Sequence, residues 1–498
     1  MESKSNQQHV VMLPVMAHGH LIPFLALARK IHRRTGFTIT IANTPLNIQY
    51  LRSSLNSQET GIKLAELPFC GTDHGLPPNV ENTENLSLEQ MVWIFEASLG
   101  LKSPFHRLLS DVAAKEGRPP LCVISDFFFG WASEVAESLG TVNVTFATPS
   151  AYGYLALNSI WLNLPHRLSD SDGQFHVPGF PENYRFHISQ LHEFMRKANG
   201  NDSWSRFLQP QLSLTLHSFG WLCNTVEEIE PLSLDWLRKL VKQPVWAIGP
   251  LFPAQLLKSS STVFSTQRAG KQPGISAERC KEWLGSYSPG SVVYISFGSQ
   301  NTITPCQMME LAIGLEESGQ PFIWVIRPPT GFDRKGEFSA EWLPEGFAER
   351  MDSTKQGLLV PNWAPQLEIL CHRSTGVFLS HCGWNGALES LSQGVPIIGW
   401  PMAAEQAFNS KMLVEEMGVS VELARGKQDN LTAKKVKEVI ELVMDKKGKG
   451  QEMKRRAVDI GEKIRAAVKA EGEGTVGSSV KALDDMFRTL LSKREAGN

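Results

Sequence analysis

The sequence alternates short apolar runs with amphipathic helical stretches, and it does so in two series. The first series has strand patterns at 9–16, 37–42, 62–67, 121–125 and 142–147. The second has strand patterns at 292–297, 322–326, near 358, 376–380, 395–399 and 419–423. Parallel neighbours need a long connection, usually a helix, so this alternation is typical of parallel sheets with crossover helices. The sequence therefore predicts an α/β fold with two Rossmann-like halves.

The boundary between the halves is marked by a change in composition. Between residues 251 and 290 the pattern gives way to Ser-, Lys- and Gly-rich sequence without apolar periodicity. A chain of 498 residues also exceeds the size at which one hydrophobic core keeps growing. We expect an N-terminal domain over 1–250, a linker over 251–290, a C-terminal domain over 291–470, and a last helix over 471–498 that packs back on the N-terminal domain.

Two helices carry clear end signals. The first is expected to open near Pro23 and to stop at Gly36. The second should be capped by Thr304, with Pro305 at its first position and Gln307 closing a capping box.

Composition excludes several classes of protein. Lys and Arg number 49 against 51 Asp and Glu, so no field of one sign favours nucleic acid or an anionic membrane. The apolar run at 10–17 contains Pro14 and predicts a strand rather than a signal peptide. The seven cysteines are an odd number without CxxC spacing, which indicates reduced thiols and a cytoplasmic protein. We expect a monomer that does not insert into membranes.

Candidate metal ligands do not assemble in the sequence. His18 and His20 have no carboxylate or cysteine partner nearby, so zinc is not expected. Asp170 and Asp172 imitate an acidic metal-binding pair, but no strand leads into them, and a solvated loop is favoured. No metal and no cofactor are predicted.

The most informative stretch runs from Trp363 to Gln406. A strand at 376–380 leads into a glycine-containing turn at 381–386, and Ala387 is expected to begin a helix. Such a helix N-terminus presents backbone N–H groups and a positive dipole end, which suit a diphosphate.

Side chains of this stretch add donors and a flat surface. His381 and Asn385 can donate beside the turn, Trp363 can stack on a planar base, and Gln366 with Glu389 can reach a ribose. Taken singly, Trp363 and Trp384 are better explained as core aromatics, and Glu389 is better explained as an exposed helix residue. Only the combination indicates a nucleotide-sugar site.

The stretch resembles the donor-binding signature of plant family 1 UDP-glycosyltransferases, including HCGWN at 381–385 and LES at 388–390. This resemblance implies a GT-B fold, in which two Rossmann-like domains face across a cleft, with acceptor binding in the N-terminal domain and UDP-sugar binding in the C-terminal domain. It implies these roles: Trp363 stacks on uracil, Gln366 and Glu389 hold ribose, His381 and Asn385 face the diphosphate, and Trp384, Glu405 and Gln406 meet the sugar.

Three further positions follow from the same resemblance. Gly386 stands where the family usually has Ser, so one hydroxyl contact to phosphate is lost while a backbone N–H remains. Ser299 resembles a phosphate or sugar contact, and Thr148 resembles a residue that touches the sugar. The terminal Gln406 favours glucose over galactose, so the expected donor is UDP-glucose.

Glucose transfer to an alcohol needs a base, and His20 follows the first strand at the edge where ligands of parallel sheets bind. The pattern of Gly19, His20 and Pro23 resembles the family's catalytic histidine. Asp126 ends the apolar strand 121–125, where an unpaired acid would be costly, and it resembles the partner that orients the base. We expect inversion to a β-glucoside.

The acceptor is predicted only as a class. The aromatic residues near the proposed base and in the irregular region that follows are expected to form mostly core, with some lining an apolar pocket for a flavonoid, another phenolic or a terpenoid. They are Phe127, Phe128, Phe129, Trp131, Phe146, Trp161, Phe175, Phe180, Tyr184, Phe186, Trp204 and Phe207. The alternatives are another UDP-sugar donor, extension of a sugar already on the acceptor, and, with less support, a noncatalytic nucleotide-sugar binder. A nicotinamide oxidoreductase lacks support because no glycine fingerprint follows the first strand.

Overall fold

Runs of β-branched and aliphatic residues form the strands of the computed structural model, which describes residues 7–55, 59–252, 274–333, 336, 338–470 and 475–496. The strands are β1 (His9–Leu13), β2 (Thr38–Asn43), β3 (Ile62–Glu66), β4 (Cys122–Asp126), β5 (Asn143–Ala147), β6 (Gln174–His176), β7 (Arg185–His187), β8 (Gly220–Cys223), β9 (Val245–Ala247), β10 (Val292–Ser296), β11 (Phe322–Ile326), β12 (Gly357–Pro361), β13 (Thr375–Ser380), β14 (Ile397–Gly399) and β15 (Ser420–Glu422).

The helices are α1 (His18–Thr35), α2 (Pro45–Ser54), α3 (Leu88–Ala97), α4 (Lys102–Glu116), α5 (Trp131–Ser138), α6 (Ala151–Asn163), α7 (Glu193–Lys197), α8 (Ser203–Thr215), α9 (Pro231–Val241), α10 (Ala277–Gly285), α11 (Pro305–Ser318), α12 (Phe347–Thr354), α13 (Gln366–Cys371), α14 (Trp384–Ser392), α15 (Gln406–Glu415), α16 (Ala433–Met444), α17 (Lys449–Ala467) and α18 (Ser478–Ala496).

The described residues divide into two compact units. Unit 1 contains the residues up to 252 and those from 467 onward, and unit 2 contains the residues from 274 to 466. The main sheet of unit 1 has the order β3-β2-β1-β4-β5-β8-β9, and all its pairs are parallel. The sheet of unit 2 has the order β12-β11-β10-β13-β14-β15, again parallel throughout. The prediction of two parallel-sheet α/β domains is confirmed.

Strand β10 shows why both faces of the second sheet are covered. Val293 and Ile295 belong to one buried cluster, whereas Val292 and Tyr294 belong to another. Successive side chains of a strand point to opposite faces, so a continuous apolar run must be buried on both sides.

The helix signals in the sequence were correct at two of the three predicted ends. Gly36 ends α1 with a left-handed φ of 70°, and its N–H donates to His32 O. Thr304 and Gln307 form the predicted capping box of α11. The expected start near Pro23 was wrong, because α1 begins at His18 and includes Pro23 in its second turn. A proline there removes one helical hydrogen bond, and the packing of the helix tolerates that loss.

Much of the predicted linker, residues 253–273, lies outside the described residues. Its last part was wrongly expected to be irregular, because residues Ala277–Gly285 form α10. Ser276 caps this helix by accepting from Arg279 N, and Cys280 and Leu284 bury one face four residues apart.

Some strands of unit 1 were not predicted. The short strands β8 and β9 extend the main sheet, and β6 and β7 form an antiparallel hairpin. Asp170 and Asp172 lie in the exposed turn before this hairpin, where the Asp170 carboxylate accepts backbone N–H groups from Asp172 and Gln174.

Helix α18 lies on unit 1. Its Asp485 accepts from Trp246 Nε1 at 2.9 Å, and its Asp484 forms an ion pair with Arg34 at 2.8 Å. The ring of Phe487 meets that of Phe37 edge to face at 5.3 Å and is almost fully buried. The last helix of the chain therefore completes the core formed by the first residues.

We predict that Phe487→Ala destabilises unit 1 by about 3 to 5 kcal/mol, because it removes a buried aromatic ring and leaves a cavity. Hydrogen exchange measured by mass spectrometry should be faster in β1 and β9 and unchanged in unit 2. Lys493→Ala, at an exposed position of the same helix, serves as the control. Equal exchange in the two variants would contradict the assigned role of α18.

Candidate active site

The structure brings His20 and Asp126 together. Strands β1 and β4 are parallel neighbours, with Leu13 in register with Ser125, so their carboxyl ends lie side by side. Asp126 is the last residue of β4, and His20 lies in the first turn of α1, directly after β1. The distance from His20 Nδ1 to Asp126 Oδ2 is 2.7 Å.

The two side chains differ sharply in exposure. The Asp126 side chain is fully buried and also accepts a hydrogen bond from Phe128 N at 3.2 Å, whereas the His20 side chain is 19% exposed. A buried carboxylate against Nδ1 favours the tautomer with the proton on that nitrogen, and Nε2 is then the basic nitrogen of the ring. This is the arrangement that a general base requires.

Thr148 lies beside the same nitrogen. It follows β5, is buried, and places Oγ1 3.1 Å from His20 Nδ1. The resemblance assigned Thr148 to the sugar, and the sequence offered no signal for its contact with the base. The hydroxyl and the Asp126 carboxylate together restrict the rotation of the imidazole.

Aromatic rings extend from this pair. The ring of Phe128 lies 5.7 Å from that of His20 and 4.9 Å from that of Phe95, and Phe95 contacts Trp204 at 5.5 Å. Trp204 in turn contacts Phe194 at 5.9 Å. Phe128, Trp204 and Phe194 are only half-buried, so they form an apolar surface. The sequence indicated Phe128 and Trp204 but missed Phe95 and Phe194, which reach this surface from other helices.

Most of the other aromatic residues considered for an acceptor pocket belong to the core of unit 1. Those that are almost completely buried are Phe127, Phe129, Trp131, Phe146, Trp161, Phe175, Phe180, Phe186 and Phe207.

In unit 2, the candidate donor site is built on the turn between β13 and α14. Cys382 adopts a left-handed φ of 62°, and its N–H donates to Ser380 Oγ. Helix α14 begins at Trp384 rather than at the predicted Ala387, whose N–H makes the first helical bond, to Gly383 O at 3.0 Å. The earlier start puts Asn385 and Gly386 in the first turn, where N–H groups form no helical hydrogen bonds.

His381 fits between two glycines. A Cβ atom at position 298 would lie 2.6 Å from its Cε1, and one at position 383 would lie 2.5 Å from its Nε2. Gly298 also has a left-handed φ of 74°. Burial, reinforced by the nearby Arg327 cation, lowers the pKa of His381 to about 4. The ring is therefore neutral at physiological pH and donates through one nitrogen only.

Gln366 and Glu389 are in direct contact. Gln366 Nε2 donates to Glu389 Oε2 at 2.6 Å, and Tyr294 Oη donates to Gln366 Oε1 at 3.2 Å. Glu389 is almost fully buried on α14. Trp363 is half-buried and lies shortly before Gln366 in the chain, whereas Trp384 is only 2% exposed. Tyr294 was missed because its signal is only that of a buried strand residue.

Glu405 and Gln406 open α15. Gln406 Oε1 accepts from Met402 N at 3.0 Å and from Ala403 N at 2.9 Å, so its carbonyl oxygen fixes the preceding turn. Asn409 Nδ2 donates to Cys382 O at 2.9 Å and approaches Glu405 Oε1 at 3.4 Å. Asn409, which was not predicted, thereby joins this helix to the turn after β13.

The structure also shows the surroundings of two other predicted donor contacts, Gly386 and Ser299. Gly386 has room for a Cβ atom, whose nearest neighbours would be Phe378 Cε1 at 3.5 Å and Gln366 Nε2 at 3.6 Å. Ser299 follows β10, and its carbonyl oxygen accepts from Arg327 Nη1 at 2.7 Å.

Within the ranges given above, no group of three or more His, Cys, Asp or Glu side chains could hold a metal ion. No helix among the described residues is long and apolar enough to cross a membrane.

Comparison with known proteins yields two family models. The model described as UDP-glucoronosyl and UDP-glucosyl transferase matches residues 247–458, and the model described as glycosyltransferase, N-terminal domain, matches residues 6–253. The chain is 42% identical to UDP-glycosyltransferase 92A1 of Arabidopsis thaliana over 99% of both chains. It is 42% identical to crocetin glucosyltransferase 3 of Crocus sativus, over 90% of this chain and 93% of that one.

Solved structures are similar over the whole chain. The Glycyrrhiza uralensis protein UGT73P12, complexed with glycyrrhetinic acid 3-O-monoglucuronide, matches with a TM-score of 0.80 at 26% identity, covering 99% of this chain and 97% of that one. Medicago truncatula UGT71G1, complexed with UDP-glucose, matches with a TM-score of 0.78 at 25% identity, covering 98% of this chain and all of that one. These matches confirm the predicted GT-B fold class.

We predict that His381 makes unit 2 sensitive to acid. The unfolded chain takes up a proton near pH 6.5, whereas folded His381 does so only near pH 4, so stability falls as the pH drops between those values. His381→Gln should remove about 1 to 2 kcal/mol of the stability difference between pH 7 and pH 5, measured by urea unfolding.

His106→Gln, at an exposed position of unit 1, provides the matched control. If His381→Gln and wild type lose the same stability between pH 7 and pH 5, the neutral state assigned to folded His381 is wrong.

Proposed function

The chain belongs to the UDP-glycosyltransferases of plant secondary metabolism, and from that premise we propose that it transfers glucose from UDP-glucose to a hydroxyl of a small, largely apolar acceptor. The observation that carries the proposal is the 2.7 Å contact between His20 and the buried Asp126. A protein that only bound a nucleotide sugar would need no such base.

The proposed reaction divides the chemistry between the units. His20 Nε2 removes the proton of the acceptor hydroxyl, and Asp126 holds the tautomer and stabilises the imidazolium that forms. The acceptor oxygen forms a bond to the anomeric carbon while the bond from that carbon to UDP breaks, which inverts configuration and gives a β-glucoside. The first turn of α14, with neutral His381, receives the charge of the departing UDP.

Glucose is the donor sugar that the chain favours. The side-chain oxygen of Gln406 accepts from two backbone N–H groups, so the amide nitrogen is the end of the side chain that we propose donates to the sugar. An amide donor next to the Glu405 carboxylate pairs well with sugar hydroxyls. The similar Medicago protein was crystallised with UDP-glucose, which supports this choice.

The acceptor class follows from the half-buried rings beside His20. Phe128, Trp204 and Phe194 offer apolar faces rather than charges, which suits a flavonoid, another phenolic or a terpenoid. A relative 33% identical is named scopoletin glucosyltransferase, which fits a phenolic acceptor. The complex of the Glycyrrhiza protein with a monoglucuronide supports one alternative, extension of a sugar already on the acceptor. Another donor sugar is the second alternative.

We also propose that the reaction needs no divalent metal and no cofactor, because hydrogen-bond donors receive the leaving charge. Seven free cysteines support a reducing compartment, the cytosol. The active species is proposed to be a monomer.

The proposed reaction predicts that the purified protein releases UDP from UDP-glucose only when an acceptor is present. The release should continue when EDTA removes divalent metal ions. His20→Ala should lower the rate by at least about a hundredfold, because the base is lost. Asp126→Asn should lower kcat by about a hundredfold or more, because the wrong tautomer is favoured. A panel of flavonols, simple phenols and triterpenoids, with and without an attached sugar, identifies the acceptor class.

His106→Ala, an exposed histidine of the same unit, is the matched control and should keep full activity. UDP release from His20→Ala at the wild-type rate would contradict the assigned base. Binding of UDP-glucose without release for any acceptor would favour the noncatalytic binder.

A further prediction concerns the effect of Gly386 on UDP affinity. Because a Cβ atom fits at this position, Gly386→Ser can place a hydroxyl near the first turn of α14 without displacing its neighbours. We expect UDP affinity, measured by calorimetry, to rise about three- to tenfold, the usual effect of one added hydrogen bond.

Gly386→Ala is the control that separates the effect of the added hydroxyl from the effect of higher helix propensity. Ser and Ala both stabilise a helix relative to glycine, by up to about 1 kcal/mol, but only Ser adds a hydrogen-bond donor. Equal UDP affinity in the two variants would show that the missing hydroxyl does not limit binding in this chain.

A further inference from the structure

Arg327 lies at the carboxyl edge of the second sheet. It directly follows β11, whose neighbours in the sheet are β10 on one side and β12 on the other. The loop after β10 carries Ser299, and the loop after β12 carries Trp363. Ser299 was expected to contact the donor from the resemblance alone, and Trp363 was expected to do so from its flat ring as well. Nothing in the sequence indicated Arg327.

The guanidinium of Arg327 holds both of these loops. Its Nη1 donates to Ser299 O at 2.7 Å, and its Nε donates to Asn362 O at 3.1 Å. Two donors in a rigid planar group can bridge two fixed carbonyl groups, which the single ammonium of a lysine reproduces poorly. Hydrogen bonds from a charged donor are also stronger than neutral ones.

The residue held on the β12 side is conformationally constrained. Asn362 has a left-handed φ of 60°, and its N–H donates to Ile326 O at 3.0 Å. Asn adopts this region more readily than other non-glycine residues, and the two hydrogen bonds of its backbone hold it there. Because Trp363 is the next residue, the direction of its ring depends on how Asn362 is held.

The charge of Arg327 also reaches the predicted diphosphate position. Arg327 and Gly298 line one small cavity at the carboxyl ends of β10 and β11, and the ring of His381 packs against Gly298. The cation contributes to keeping His381 neutral, which shows that the two groups interact electrostatically. Because Arg327 and the ring of His381 both lie against the loop after β10, the positive charge would attract a diphosphate bound beside His381.

We propose that Arg327 is a positioning residue of the donor site, which fixes the Ser299 loop and the Trp363 ring for uridine diphosphate and adds a favourable charge. The inference rests on the proposed function only in taking UDP as the ligand. Arg327 acts mainly through other residues, so its loss should weaken donor binding more than it slows the chemical step.

The test is a double-mutant cycle on UDP affinity, measured by calorimetry without acceptor. Arg327→Lys keeps the charge and loses the two-point bridge, and we expect it to weaken UDP binding about tenfold. In a Trp363→Ala background the same substitution should cost about threefold or less, because the ring that Arg327 positions is absent. Arg327→Met should weaken UDP binding more than Arg327→Lys in both backgrounds, and that additional loss should shrink at high salt.

Arg350→Lys is the matched control, because Arg350 of the same unit also holds two partners, Glu316 and the Glu345 carbonyl. It should bind UDP as wild type does. Thermal unfolding establishes whether each variant is folded. If Arg327→Met does not fold, the result for Arg327→Lys decides the test.

In steady-state assays, Arg327→Lys should raise the KM for UDP-glucose with a smaller change in kcat. The proposal is overturned if Arg327→Lys binds UDP as tightly as wild type. It is also overturned if Arg327→Lys weakens UDP binding by the same factor in the wild-type and Trp363→Ala backgrounds. Absence of UDP binding by wild type would instead overturn the proposed function.

Discussion

Both candidate sites depend on one constraint: neighbouring parallel strands end at the same edge of their sheet. In unit 1 this places the last residue of β4 beside the turn after β1, so the carboxylate of Asp126 meets the imidazole of His20. In unit 2 it places the loops after β10, β11 and β12 together, so one arginine reaches carbonyl groups on both sides. A buried charge such as Asp126 is costly unless it is paired, and the topology supplies the partner.

The same residue type serves two purposes because its surroundings differ. His20 is partly exposed and held by a buried carboxylate, which suits a group that must accept a proton and carry a transient charge. His381 is enclosed by two glycines and lies near a cation, so it stays neutral and can donate a hydrogen bond through one ring nitrogen. Environment rather than residue identity separates a base from a hydrogen-bond donor.

Sequence reasoning succeeded where the cause is local and failed where it is not. Alternating strands and helices, the capping box of Thr304 and the stop at Gly36 are set by neighbouring residues, and they were predicted. The short strands β8 and β9 have little pattern of their own and form because the sheet offers an edge. Thr148 and Arg327 carry no motif, since their roles arise from contacts with residues 128 and 35 positions away in the chain.

The placement of α18 has a consequence for how the protein is made. Unit 1 joins residues before 253 to residues after 466, so its core lacks Phe487 and its neighbours until α18 has been synthesised. Unit 2, by contrast, is continuous in sequence and can fold before α18 has left the ribosome. Any chimera that exchanges acceptor domains between relatives must therefore take two segments from one parent, the N-terminal half and the C-terminal helix. A single crossover would pair the unit 1 core of one protein with the closing helix of another.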